Sequence, residues 1–194
     1  MTHPLTHPAV HPVRQPSRRS ARAAVGVIAG LALCGAVLGV VWVQIAPPIH
    51  TLTALRRNGE RVDAFLGREA DNLFVAAAML LGLLTLLAVV SAVAVWQWRA
   101  HRGPLQATAL WMGQIAAGAA AAGVGAALAH QRYGTPDRSV PLTPEDRVQY
   151  FTEAPPVFFG HSPLQVAVTL LLPAAVSALV YALVTVATPR DDLG

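Results

Sequence analysis

A chain of 194 residues that is 54% hydrophobic and only 12% charged, with a mean hydropathy of +0.49, is not composed like a soluble domain, where about a quarter of residues are charged. Its net charge of +4 and pI near 10.2 come from arginine alone, and the fourteen arginines are scattered without interleaved aromatics, which excludes a nucleic-acid stripe. The single cysteine, Cys34, excludes an intramolecular disulfide.

The missing charge is concentrated in four uncharged apolar runs, Ala23–Ala46, Leu73–Trp98, Leu105–His130 and Pro163–Thr188. Each exceeds the roughly 18 residues beyond which a buried soluble helix is the poorer reading. The sequence therefore predicts an all-α integral membrane protein with four transmembrane helices, at about 23–46, 69–98, 104–130 and 163–188 of a membrane domain spanning 23–188. Outer loops 47–68 and 131–162 are expected to form a small extracytoplasmic cap.

Residues 1–22 come first. His3-Pro4, His7-Pro8 and His11-Pro12 repeat every four residues and lead into Arg14, Arg18, Arg19 and Arg22. This Pro density predicts an extended, disordered cytoplasmic tail. Weak metal binding by the histidines is the alternative, but no carboxylate or Cys completes a site there. Residues 189–194 read as a second cytoplasmic tail.

The first apolar run stays attached as an anchor. The hydrophobic residues of a twin-arginine signal do not follow Arg18-Arg19. Leu31-Ala32-Leu33-Cys34 resembles a lipobox but has Leu where a small residue is required, and the run is too long for a cleavable signal core. Gly26/Gly30 and Gly35/Gly39 offer two small-xxx-small contacts, and Trp42 sits where an interfacial aromatic is expected.

In the first loop, Asn58-Gly59 predicts a hairpin turn between Thr51–Leu55 and Arg61–Leu66, with two helical turns as the alternative. Helix two should start near Glu69, with acids at its positive N-terminus, and should face lipid through leucines such as Leu83. Trp96 and Trp98 mark its other end.

Helix three, opened by Pro104, is the expected packing post. Gly113, Ala117, Ala121, Gly125 and Ala129 recur every four residues, a ridge with almost no side chains against which another backbone can lie. In the second loop, Thr143-Pro144-Glu145-Asp146 reads as the start of a short helix reaching Phe151, with Phe158 and Phe159 beyond it as part of a docking surface. Ser162 and Gln165 form a capping box for helix four. Pro173 predicts a kink there, and Ala174, Ala178 and Ala182 a second small-residue row.

Raw arginine counts tie at seven on each side of the membrane, but Arg18, Arg19, Arg22, Arg99 and Arg102 crowd the membrane ends. That density places both termini in the cytoplasm of a multi-pass plasma-membrane protein.

Trp42 with Ala46-Pro47, Asp71 with Phe74, and Trp98-Arg99 followed by Arg102-Gly103-Pro104 resemble a family of four-helix actinobacterial membrane proteins known as a domain of unknown function. Gly125, Gly134, Asp137 and the loop into helix four extend the likeness over most of 25–187. The resemblance implies the topology and an envelope location, and no activity.

The runs contain no Asp, Glu, Arg or Lys, which disfavours a proton-coupled transporter; Gln114, Thr169 and Ser177 are the interior polar groups. Phosphate loops, zinc-protease helices and nucleophile elbows are absent from the sequence. His50, His130 and His161 share the outer level with Asp71 and Asp137. They could hold Zn²⁺ only by converging in the plane as well, so neither a metal nor any other cofactor is assigned. The sequence points to a non-enzymatic envelope accessory or scaffold. Its expected partners are the lipid bilayer and another envelope membrane protein or itself, not nucleic acid. A small transporter or channel component is the second reading, and a metalloenzyme using the outer histidines the third.

Overall fold

The computed structural model describes residues 18–99, 102–139, 142 and 146–188. The His-Pro tail, with its question of metal binding, and residues 189–194 lie outside them. Four helices are long and apolar enough to cross a membrane: α1 (Arg18–Ile45), α2 (Ala70–Gln97), α3 (Pro104–Tyr133) and α4 (Pro163–Ala187). The chain is not all-α, however. Strands β1 (Ile49–Leu55), β2 (Arg61–Phe65) and β3 (Val148–Glu153) form an antiparallel sheet in the order β2-β1-β3.

Helix α1 begins at Arg18, ahead of the apolar run. Charge removes Arg18, Arg19 and Arg22 from the apolar stretch without opposing the helix, because Arg and Ala are both good helix formers. At the other boundary of the bundle α3 runs on to Tyr133. It ends at Gly134, whose φ of 68° lies in the left-handed region and whose amide donates to His130 O at 2.8 Å.

Side-chain contacts fix the helix directions. Ile28 and Leu31 face Gly113, while Gly39 faces Ala121 and Gly125, so α1 and α3 run parallel. Ser91 meets Gln114 while Leu84 meets Gly118, and Tyr181 meets Gly103 while Leu170 meets Gly118, so α2 and α4 run antiparallel to α3. This up-down-up-down arrangement puts the sheet and both long loops at one end, the cap end. Arg18 and the α2–α3 link lie at the other, the basic end.

The tightest seam is α1 on α3. A Cβ on Gly35 would run into the Ala117 carbonyl, and one on Gly39 would sit 2.5 Å from Ala121 O. Gly113, Ala117, Ala121, Gly125 and Ala129 are all buried. Such close backbone approach gives extensive van der Waals contact, one of the attractions that hold helices together where no hydrophobic drive operates. Trp42 packs into the same seam. Its ring lies over Gly125 and its Nε1 donates to Ala76 O at 2.8 Å, so it is a fully buried wedge and not an interfacial anchor.

Other small-residue rows behave differently. Gly26 and Gly30 are exposed with nothing near them, and of the α4 row only Ala174 is buried while Ala178 and Ala182 face outward. Leu83 packs against the core from α2, and Leu86 is the outward leucine. Of the four helices, α1 is the least enclosed. Pro173 is fully buried within the continuous span of α4. The Ser162–Gln165 capping box is formed in both directions, with Gln165 N donating to Ser162 Oγ and Ser162 N to Gln165 Oε1.

Candidate docking cap and the cavity beside it

The hairpin of the cap turns at Asn58-Gly59. Gly59 adopts φ 81°, its amide donates to Arg56 O, and Arg56 N donates to Glu60 O. The other edge of β1 is taken by β3, where a helix reaching Phe151 was expected. The helix-like signal at Thr143–Glu145 lies outside the described residues. The strand segment itself, Val-Gln-Tyr-Phe-Thr-Glu, alternates and is rich in β-branched and aromatic side chains. A strand also satisfies the open edge of β1, with partners running from Ile49↔Glu153 to Ala54↔Val148.

The two faces of this sheet differ in chemistry. On one, Thr51 and Thr53 are buried, and their hydroxyls donate to Glu153 Oε1 at 2.7 Å and Asp63 Oδ1 at 2.6 Å. Arg138 closes that face, pairing with Asp63 at 3.7 Å and with Glu153. Its backbone is set by Asp137, whose carboxylate accepts the Ser139 amide at 2.9 Å and the Ser139 hydroxyl at 2.5 Å. Those two hydrogen bonds hold the Asp137 carboxyl below its ordinary value of 3.8.

On the opposite face, cross-strand pairs bring Ala64, Leu52 and Tyr150 into one row and Val62, Ala54 and Val148 into the next. Tyr150 is 67% and Val148 46% exposed. The chain thus presents a small apolar sheet face beyond the bundle.

His50 is held at the sheet's margin. Glu69 Oε2 lies 2.8 Å from its Nδ1 and accepts its backbone amide at 2.5 Å, so this acid serves β1 and makes no side-chain cap on its own helix. His130 and His161 instead line a cavity of about 300 Å³ between the end of α3 and the Pro155–Phe158 stretch, a lining that does not include His50. Among the described residues no group of three or more His, Cys, Asp or Glu side chains is placed to hold a metal ion. Phe158 packs on the core and Phe159 lies tilted against Phe74 with ring centroids 5.3 Å apart, whereas Tyr150 is exposed.

Within the bundle, Gln114 Nε2 donates to Ser91 Oγ at 2.6 Å, and Ser91 to Ala88 O. Thr169 and Ser177 satisfy carbonyls of their own helix, Gln165 O and Ala174 O. Gln114 Oε1 and Gln106 Nε2 are buried without a protein partner. Sequence reading overlooked Gln106, which opens α3 close to the charged link, and Ser91, one hydroxyl in a long apolar run. It also overlooked Arg138, whose role depends on two strands distant from it in the chain.

The family model described as "Protein of unknown function (DUF2567)" matches residues 31–194. The chain belongs to this family. It is 52% identical over 167 residues to uncharacterized proteins of Mycobacterium tuberculosis and Mycobacterium bovis, covering 85% of this chain and 86% of each relative. An uncharacterized protein of Mycobacterium leprae is 50% identical over 171 residues, covering 88% and 86%. No solved structure matches. The DUF2567 match includes Gly35, Gly39, the whole cap and both buried glutamines, and begins after Gly26 and Gly30.

Proposed function

We propose that the protein is a non-enzymatic membrane protein of the cell envelope, an accessory or scaffold that acts through helix packing and through its cap. Both termini lie in the cytoplasm, and the cap meets another envelope membrane protein or a second copy of this chain. The exposed apolar sheet face carries this reading. Leu52, Val62, Val148 and Tyr150 project from a sheet whose other face is closed by Arg138, so they are held in place before any partner arrives. Exposed aromatic and β-branched groups on a fixed frame lose little freedom on binding. The polar side chains of the cap support the same reading, because His50 and Glu69, and Arg138 with Asp63 and Glu153, bind each other.

A photo-crosslinking residue at Tyr150 tests this in cells: one adduct of defined mass is expected, and Val148→Arg should abolish it without changing thermal stability. Orientation is tested on a Cys34→Ser background. A cysteine at Ser139 should react with an impermeant thiol reagent from outside, and one at Arg99 only after the membrane is opened.

A small transporter or channel component is the second reading, favoured by the unpartnered Gln114 Oε1 and Gln106 Nε2 inside the bundle. Specific solute flux from the pure protein in liposomes, without a Tyr150 adduct, would establish it over the scaffold.

A further inference from the structure

The two ends of the bundle differ sharply in charge. Among the described residues, the cap end carries seven arginines and seven carboxylates, drawn from the segments between α1 and α2 and between α3 and α4 and from their flanking turns. The basic end carries Arg18, Arg19, Arg22, Arg99 and Arg102, and among the described residues no carboxylate.

We propose that the basic end binds the headgroups of anionic phospholipids. Helix length sets the depth of the arginines. The 28 residues of α1 rise about 42 Å, close to the roughly 40–45 Å of a bilayer with its headgroup layers, and well beyond the roughly 30 Å hydrocarbon core. The first turns of α1 therefore stand among headgroups when its apolar part fills the core. Arg18 and Arg22 are four residues apart and share one face of the helix.

The α2–α3 link reaches the same level. Ile28 faces Gly113 on parallel helices, so an equal count back along each places Arg19 level with Pro104. Just before Pro104, the Arg102 guanidinium stacks 4.2 Å from the Trp96 ring centroid and its Nε donates to Trp96 O at 2.9 Å. Trp96 is in turn braced edge-on by Tyr181. This holds Arg102 against the bundle, and Arg99 is exposed beside Trp98, itself an exposed aromatic suited to the interfacial layer. Charge complementarity then selects the lipid: a phosphatidylglycerol-type headgroup supplies a net negative charge, whereas a phosphatidylcholine headgroup is neutral overall.

The proposal rests on the membrane-spanning reading, which alkaline carbonate extraction of native membranes tests separately: the protein should stay in the pellet. For the headgroup site, full-length protein in neutral detergent is titrated with short-chain phosphatidylglycerol, read by tryptophan fluorescence. Phosphatidylcholine of the same chain length and inorganic phosphate are the comparison ligands. Phosphatidylglycerol should bind in preference to both. Arg18→Gln with Arg22→Gln should weaken its apparent affinity about 25-fold, about fivefold for each charge, while leaving the phosphatidylcholine titration and the melting midpoint unchanged. Arg56→Gln with Arg57→Gln at the cap end should leave the preference intact. Equal binding of the two lipids, or a preference that survives the α1 double substitution, would overturn the proposal. Competition by millimolar phosphate would overturn it in favour of a free-anion site.

Discussion

Gly26/Gly30 and Gly35/Gly39 repeat one spacing on one helix, and the structure uses them in opposite ways. The second pair is pressed against the backbone of α3, while the first meets nothing. The difference comes from the side of α1 that each pair occupies. Opposite Gly35 and Gly39 stand Ala117, Ala121 and Gly125, small residues on both helices, so the backbones close. Gly26 and Gly30 lie on the far side of α1 from that seam, exposed, with no described residue close by. A small-xxx-small pair marks a place where approach is permitted. A neighbour on that face decides whether it happens.

The contrast can be broken in order of expected effect, with detergent melting as the readout. Trp42→Ala should be the most damaging change, about 3–5 kcal/mol, because it empties the wedge over Gly125 and removes the hydrogen bond to Ala76 O. Gly35→Leu should follow at about 3 kcal/mol, since the clash is with backbone that cannot swing aside, whereas Gly26→Leu or Gly30→Leu should change nothing measurable. If the two pairs respond alike, the α1–α3 seam is not what closes the bundle.

Smaller effects sharpen the same distinction between touched and untouched groups. Leu83→Ala should cost about 1 kcal/mol from its half-buried site, and Leu86→Ala, 62% exposed, nothing measurable. At the cap, Arg138→Ala should cost at most about 1 kcal/mol, because its ion pairs are partly exposed, but should loosen the sheet to hydrogen exchange. The neighbouring turn adds a pH dependence. The Asp137 carboxyl titrates below 3.8 in the folded protein, so its contribution is full above that value and is lost as pH falls through the lower folded-state value. Asp137→Asn should remove this acid-side slope from a melting series.

The four apolar helices were legible because long uncharged apolar runs mark them by length and composition alone. The hairpin was legible because Asn58-Gly59 is a local turn with a local cause. β3 was hidden for the opposite reason: its partner lies about a hundred residues earlier, and the nearest signals, Thr143-Pro144-Glu145, favour another structure. Trp42 was misjudged because an aromatic near a helix end fits both a wet boundary and a dry seam, and only the glycine opposite it chooses. The Ala178/Ala182 row has the right period but turns to the outside, where no neighbour meets it. For the candidate site, the sequence located the cap but not its exposed apolar face, since the alternation of Val148 and Tyr150 acquires meaning only beside β1.

The sheet also constrains the order in which the molecule can be made. Its central strand belongs to the first loop and β3 to the second, so the Thr51–Glu153 hydrogen bond joins groups 102 residues apart. During synthesis β1 and β2 are complete while α3 is still to come, and the second edge of β1 stays open until α3 has delivered its far end to the same side. In the membrane-spanning reading proposed above, a chain whose second helical pair had entered in the wrong sense would have β3 across the membrane from its partner and could never finish the sheet. Closure of the sheet therefore requires both helical pairs to run in the same sense, and an open β1 edge is the mark of a chain in which they do not.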